Sequence, residues 1–568
     1  MNYEPESADT KLRGGYYTPP DVASLLSNWA LVSGEERVLE PSCGDGNFIE
    51  AALGRLHGRG FITGVELSPT EAGKALSRGG DRARIVFGDV FDWYSRRRAS
   101  GVYDAVLGNP PFIRYQNFPE AHRQPAFDLM RSRGLNPSRL TNAWVPFVVL
   151  ATDALKDGGR LGLVMPAELL QVGYAGELRE YLARNYSDLT IVTFRTLIFK
   201  GIQQENILLM GVKKAGTTAR IVFRELNDVT GLASLNGHHD TFTVNLDHAR
   251  EKWTQYYLSA DELRLIRELE QSTALTTLGA LAEIDVGIVT GRNEFFVLTP
   301  TEAKDHGLSR WCRPLVGKSA QIPGLQLTLD EWNDLRVADS RCLLLNLPDV
   351  PREELDEAAI AFVRAGEQSG YHRGYKCRIR QPRWWKVPSP WVPDAFLLRQ
   401  IYDAPRIVVN KAGAVSTDTI HRVRARPNID AALLAACALN SATCAFSEIR
   451  GRSYGGGVLE LEPREAEALP FPLPRPLDLQ KLDSLLRRQG TAAALEEIDR
   501  TLLRTVGMDA SDIATLRAIW HKLSSRRMRR NKGWRANVTT GQADDGNNGT
   551  AVEVSRSKRS SVPVGAFS

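Results

Sequence analysis

Cysteine is scarce in this chain: six in 568 residues, at positions 43, 312, 342, 377, 437 and 444. None stands in a CxxC pair, which argues against a zinc cluster and for reduced thiols in a cytosolic compartment. No apolar run is long enough to span a bilayer. The first ten residues, Met1 to Thr10, are polar and acidic, unlike the apolar core of an ordinary signal peptide. The net charge is only +5, too mild by itself to indicate a nucleic-acid partner. There is no Gly-rich loop followed by lysine, so a nucleoside triphosphate site is not expected. These absences predict a soluble protein of two to four domains, and 43% hydrophobic content fits that class.

The most informative segment is Asn109-Pro110-Pro111-Phe112. It follows Tyr103 to Gly108, an apolar run that reads as a buried strand ending at the carboxyl edge of a sheet, where open α/β folds bind ligands. Two prolines make a stiff loop, because each fixes φ, lacks an N–H and restricts the residue before it. Such a loop presents the Asn109 amide, backbone carbonyls and an aromatic face in fixed directions. That set suits a flat substrate bearing an amino group, although a simple proline turn has the same sequence.

Motifs upstream strengthen the functional reading. Arg37 to Phe48 reads as strand, glycine turn and helix, with Glu40 and the turn Cys43-Gly44-Asp45-Gly46 at the junction. A second strand, Phe61 to Leu67, ends in Glu66, where such folds hold ribose hydroxyls. A third, Arg84 to Val90, carries Asp89, able to accept from an adenine amine.

In this order of motifs the chain resembles the gamma-type DNA adenine-N6 methyltransferases that use S-adenosylmethionine, the group typified by the TaqI enzyme. Gly15-Tyr16-Tyr17-Thr18-Pro19-Pro20 matches the segment that opens this family. The likeness is strongest over residues 13–214 and weaker to about 475. It implies a class I methyltransferase fold: α/β, a doubly wound, mainly parallel sheet with an antiparallel last strand, followed by an α+β target-recognition domain. It also implies that Thr18, Glu40, Cys43, Gly44, Asp45 and Gly46 line the methionine end of the cofactor. Glu66 would take the ribose, Leu67 the adenine ring and Asp89 the adenine amine. Asn109, Pro110, Pro111 and Phe112 would form the catalytic loop, with Asn109 also beside the cofactor. Phe199 would pack on the flipped base, just before Gln203 and Gln204. Two positions depart from the pattern: Val90 replaces an aromatic residue after Asp89, and Phe112 replaces Tyr, keeping the ring and losing the hydroxyl.

The chemistry implied is direct. A target base must leave the duplex to reach the methyl donor. Hydrogen bonds from its exocyclic amine to Asn109 and the Pro110 carbonyl would free the nitrogen lone pair for attack, with no general base and no covalent intermediate. A cytosine-C5 enzyme needs a cysteine, usually after proline, and none of the six follows one.

Strands and helices alternate through residues 13–215, the expected catalytic domain; residues 216–273 read as a connector with a helix near Glu262 to Glu270. Residues 114–139 read as a mobile loop near DNA, and the strands at 189–194 and 206–212 as a hairpin. Short strands and turns over 274–475 suggest the recognition domain. Its basic, aromatic stretch offers Arg373, Lys376, Arg378, Arg380 and Arg383 for phosphates or guanine edges and Trp384 and Trp385 for stacking; Arg452 lies in a later glycine-rich loop. A helical region, 476–523, and a disordered basic tail, 524–568, complete the layout.

The partners implied are double-stranded DNA and, functionally, a restriction endonuclease without a stable complex, for a monomer in a prokaryotic cytoplasm. No metal is expected. Cytosine-N4 methylation is the first alternative, because it also uses an exocyclic amine. A protein glutamine-N5 methyltransferase shares the loop, but such enzymes usually lack a large C-terminal recognition domain. A nuclease fusion has only Asp285 with Glu302-Ala303-Lys304 as a faint triad.

Overall fold

The computed structural model describes residues 17–97, 99–196, 198–199, 205–214, 216, 220–231, 246–453 and 457–541, with side chains to 528. Gly15, Tyr16, Gln203, Gln204, Tyr454 and the end of the expected tail, 542–568, lie outside these residues.

The first half is an eight-stranded sheet flanked by helices. Its elements are α1 (Pro20–Ala30), β1 (Arg37–Glu40), α2 (Asn47–Leu53), β2 (Phe61–Glu66), α3 (Pro69–Gly79), β3 (Ala83–Phe87), α4 (Val90–Arg97) and β4 (Tyr103–Gly108). There follow α5 (Glu120–Ser132), α6 (Trp144–Ala154), β5 (Leu155–Pro166), α7 (Glu168–Gln171), α8 (Gly176–Asn185), β6 (Tyr186–Phe194), β7 (Asn206–Lys213) and β8 (Arg220–Leu226). The strand order is β3-β2-β1-β4-β5-β7-β6-β8. β7 runs antiparallel to both neighbours, while β1 to β5 are mutually parallel. This is the class I methyltransferase arrangement. The order reverses between β1 and β4, which opens a crevice at the carboxyl ends of those strands. α6 is buried on every side, as its apolar sequence requires, and forms a central support under the sheet.

Three features differ from the sequence reading. β8 falls within the expected connector and adds a parallel edge strand beside β6. Its apolar run is short, Ile221-Val222-Phe223, and most of its residues are half-buried. The expected mobile loop at 114–139 contains α5, which buries Ala126, Phe127 and Met130 despite Pro125. Finally, the expected disordered tail begins inside a helix, Ala510–Gly541.

The second half holds a five-stranded sheet built on Ala395–Leu398, Ile407–Asn410 and Ile420–Ala425, and smaller sheets beside it. Its core joins these strands to the helices Ala431–Ala438 and Ser441–Arg450 and to the last helix through Leu516, Ile519 and Leu523. A separate apolar cluster gathers Phe295, Phe296, Trp384 and Trp385. Among the described residues no single helix is long and apolar enough to cross a membrane.

The last helix ties the two halves together. Arg527 is 1% exposed and holds the buried Glu448 through Nη2–Oε1 and Nε–Oε1 contacts of 2.8 and 2.9 Å, with the Gly457 carbonyl at 2.7 Å. Arg526 pairs with Glu225 on β8 and, at 3.5 Å, with Glu205 before β7, and its guanidinium lies 3.6 Å from the Tyr257 ring centre. Both arginines are therefore internal, not part of a solvated basic tail.

Candidate active site

A cavity of about 500 Å³ opens at the carboxyl ends of β1, β2, β3 and β4, within the size range of small-molecule sites. Local sequence explains its shape. After β1, Cys43 donates its N–H to the Val65 carbonyl, and Gly44 and Gly46 take φ values of +52° and +94°. A side chain at Gly46 would come within 2.9 Å of the Ala75 Cα, so only glycine lets the turn pack on α3. No atom lies within 4 Å of a Cβ built on Gly44, which leaves that backbone open.

Three acids end three adjacent strands. Glu66 is fixed by backbone donors, Gly44 N–H to Oε2 at 2.9 Å and Ser68 N–H to Oε1 at 2.8 Å. Asp89 Oδ1 accepts from the N–H groups of Phe91 and Asp92 at 2.9 and 3.0 Å, capping α4. Its Oδ2 lies 2.9 Å from His122 Nδ1 on α5. Glu40 is 2% exposed, and its Oε2 has no hydrogen-bond partner among the described residues. Burial, reinforced by Asp45 and Glu66, pushes its carboxyl well above the usual range. Asp45 is raised by burial against the pull of Arg78, which sits 3.0 Å away. Burial also raises the Cys43 thiol, which keeps it protonated and removes it as a nucleophile.

Thr18 is buried, and its carbonyl accepts from Asn47 Nδ2 at 3.1 Å, so the segment before α1 closes one wall. Leu67 is half exposed at the wall, an apolar face in reach of a flat ring. Val90 lines the same side, where Phe91 and Phe147 meet edge to face at 5.0 Å. At the other side stand Asn109 and Pro111, and the Asn109 carbonyl accepts from Ser42 Oγ at 3.4 Å. Pro110 is buried behind the wall, and Phe112 is half-buried against the apolar cluster under α6.

Most residues singled out by sequence thus converge on one cavity, with Gly46 shaping the turn beneath it. Phe199 does not join them. It is 6% exposed and belongs to the apolar cluster of Val22, Phe48 and Phe194, so its ring serves as core in this conformation. His122, Asn117 and Phe118 were missed, although they line the cavity. Pro119, followed by Glu120 and the apolar spacing Ala126, Phe127, Met130, was the signal for the helix that brings them there.

The candidate DNA contacts divide. Trp384 and Trp385 are 1% and 2% exposed and form the core of their cluster, so neither ring is available to stack on bases. Arg380 is spent on carbonyls, reaching that of Thr290 and, at 2.9 and 2.7 Å, those of Lys376 and Lys386. Arg383 pairs with Asp349 at 2.8 Å and Arg452 with Glu465 at 3.0 Å. Arg373, Lys376 and Arg378 remain exposed, on and beside the short helix Tyr375–Arg378. Asp285 is bound to Arg422 at 2.6 Å, and Glu302 is held in a capping box, which dissolves the faint nuclease pattern.

Comparison with known proteins agrees with this geometry. Residues 70–199 match the family described as Eco57I restriction-modification methylase, and residues 250–503 match the type II methyltransferase M.Eco57I C-terminal domain. The chain is 20% identical over 477 residues to the type II methyltransferase M.AccI of Acinetobacter calcoaceticus, covering 79% of this chain and 83% of that protein. It is 25% identical over 477 residues to M.XamI of Xanthomonas campestris pv. amaranthicola, covering 81% and 85%. It is also 32% identical over 187 residues to M.TthHB8I of Thermus thermophilus, covering 32% and 41%. A buried carboxyl whose Oε2 has no partner among the described residues, a carboxylate fixed by two N–H groups and an apolar ledge fit a cationic sulfonium nucleoside. Over residues 70–199 and 250–503 the chain is thus similar to the methyltransferases of type II restriction–modification systems, and its cofactor is S-adenosylmethionine.

Proposed function

We propose that the protein is a gamma-type, site-specific DNA methyltransferase acting on adenine N6 in double-stranded DNA, protecting that DNA from a cognate restriction endonuclease. The observation that carries this reading is the stiff Asn109-Pro110-Pro111-Phe112 loop at the end of β4, with Asn109 and Pro111 in the wall of the same cavity as Glu40, Glu66 and Asp89.

Within that cavity Glu66 takes the ribose hydroxyls, because its orientation is already set by Gly44 and Ser68. Asp89, held by α4 and His122, takes the adenine amine of the cofactor. Thr18, Glu40 and the Cys43 to Gly46 turn hold the methionine end. The bound cofactor supplies an electrophilic methyl group. Asn109 and the Pro110 carbonyl accept hydrogen bonds from the exocyclic amine of a base flipped out of the duplex, and this localises the lone pair on nitrogen. Phe112 offers its ring to the base. Asparagine at the first loop position favours adenine over cytosine. Arg373, Lys376 and Arg378 are the cations left to meet phosphates or guanine edges. One chain carries both the cavity and the recognition half, so a monomer acts without a stable complex with the nuclease.

The test is transfer of labelled methyl from S-adenosylmethionine to unmethylated DNA, followed by nucleoside analysis. Label in N6-methyladenine is expected. Label in N4-methylcytosine keeps the fold and overturns the base, and label only in a protein fraction overturns DNA as the substrate.

A further inference from the structure

Two sets of hydrogen bonds, joined by the short helix α7, link the second half to Ile113 and Tyr115, just after the catalytic tetrapeptide. At one end, Gln171 is 6% exposed and makes two bonds to one residue of the second half. Its Nε2 donates to the Ser453 carbonyl at 2.7 Å, and its Oε1 accepts the Ser453 N–H at 2.8 Å. Ser453 sits in the strand Arg452–Ser453, which pairs with Leu459–Glu460. At the other end, Glu168 Oε2 accepts from Asn142 Nδ2 at 3.2 Å and from the Tyr174 hydroxyl at 2.8 Å. Asn142 Nδ2 also donates to the Tyr174 hydroxyl at 2.8 Å. The Asn142 Oδ1 then accepts the Tyr115 N–H at 3.1 Å, three residues after Phe112. The next residue, Ala143, donates its N–H to the Ile113 carbonyl at 2.9 Å.

Each end is rigid. Arg179, 1% exposed, donates to the carbonyls of Leu169 and Val172 at 3.1 Å and pins α7 from within. The Tyr115 ring meets the Arg123 guanidinium, 4.5 Å from its centre, and the stacked Phe127 ring at 6.3 Å. Lys252 holds the loop before Ser453 through the Gly451 carbonyl at 3.0 Å and Glu465 at 3.1 Å. A displacement of the Ser453 strand therefore has few soft joints in which to dissipate before it reaches the segment that follows the catalytic tetrapeptide.

We propose that Gln171, Glu168 and Asn142 are positioning residues, a relay that sets the catalytic loop according to how the Ser453 strand is seated. The inference rests on the DNA methyltransferase reading. None of the three is required to touch cofactor or base. Their effect falls on the placement of Asn109 rather than on binding, as expected when a packed network links a recognition element to a catalytic one.

The experiment uses the full chain with unmethylated DNA containing its mapped site. The variants are Gln171→Met, which keeps the side-chain length and removes both bonds, Asn142→Ala and the double variant. Tyr174→Phe, which deletes one hydroxyl, stands in should Asn142→Ala fail to fold. Single-turnover methyl transfer, cofactor Kd and 2-aminopurine fluorescence at the target base are measured. Each single variant is expected to slow transfer about tenfold with cofactor Kd within about twofold of wild type, and the double to be no slower than the worse single. A double variant about a hundredfold slower, or a Gln171→Met enzyme as fast as wild type, overturns the relay. Wild-type enzyme that places no label in DNA overturns the underlying reading instead, before any variant is compared.

Discussion

The two halves of this molecule use charge in opposite ways. In the catalytic half, acids at strand ends stand around a cavity with their orientations set and, in Glu40, a buried oxygen without a partner among the described residues. In the second half, arginine is abundant but largely engaged. Arg380 holds three carbonyls, Arg383 and Arg452 hold carboxylates, and Arg422 lies against Asp285 and the Trp391 ring at 4.5 Å. A basic stretch in a sequence is thus not a map of charge offered to a partner. An acid at a strand end in an open α/β sheet is much closer to being one, because the fold itself leaves that edge uncovered.

That contrast can be broken at several points. The largest effect is expected from Trp384→Ala. If the ring is core, the loss is about 3–5 kcal/mol of unfolding free energy, read by denaturant titration. A DNA contact would instead leave stability unchanged and weaken only binding. Next, Asn109→Ala should lower methyl transfer about a thousandfold, from loss of a hydrogen-bond acceptor aimed at the reacting amine. Calorimetry should find cofactor affinity nearly intact, and full activity would remove Asn109 from the chemistry.

Glu40 gives a pH test. Its carboxyl is raised in the folded protein, so the free enzyme gains stability from it at acid pH. That contribution is complete below the unfolded carboxyl value and is lost as pH rises through the folded one. A cationic cofactor favours the carboxylate and reverses the sign, so binding should release a proton, and affinity should rise with pH until Glu40 is ionised. Calorimetry in buffers of different ionisation enthalpy measures this release, which should vanish in Glu40→Gln. The smallest effect separates free from engaged arginine. Arg378→Ala should reduce the slope of log K against log salt for DNA by about one, whereas Arg383→Ala, whose side chain is paired with Asp349, should change it less.

Much of the catalytic half was legible because its signals are local. A strand, a tight glycine turn and a helix are adjacent in sequence, and Asn109-Pro110-Pro111-Phe112 follows its strand directly. What escaped depends on contacts between distant segments. β8 offers only the short apolar run Ile221-Val222-Phe223, too little to mark a strand until it is seen beside β6. The helix that brings His122 to Asp89 looked like a loop because Arg, Gln and Pro125 mask its short buried stripe. Phe199 sits at the right place in the chain, yet its ring packs into the core, a choice made by neighbours rather than by spacing. The arginines are the plainest case. Nothing near Arg527 in sequence reveals Glu448, and without that partner Arg526-Arg527-Met528-Arg529-Arg530 reads as a solvated run.

The pairing of Arg526 and Arg527 also orders events in time. Arg527 lies 79 residues beyond Glu448, and Arg526 lies 301 residues beyond Glu225. At roughly 5–20 residues per second of synthesis, the catalytic sheet is complete for about 15–60 s before the guanidinium that ties it to the last helix is made. Until then Glu448 has no cation to accompany it into the interior, and burial alone favours its neutral form. The nascent chain therefore carries the whole cofactor-side sheet, already able to bond Ser453 through Gln171, well before the last helix adds its own ties to both halves.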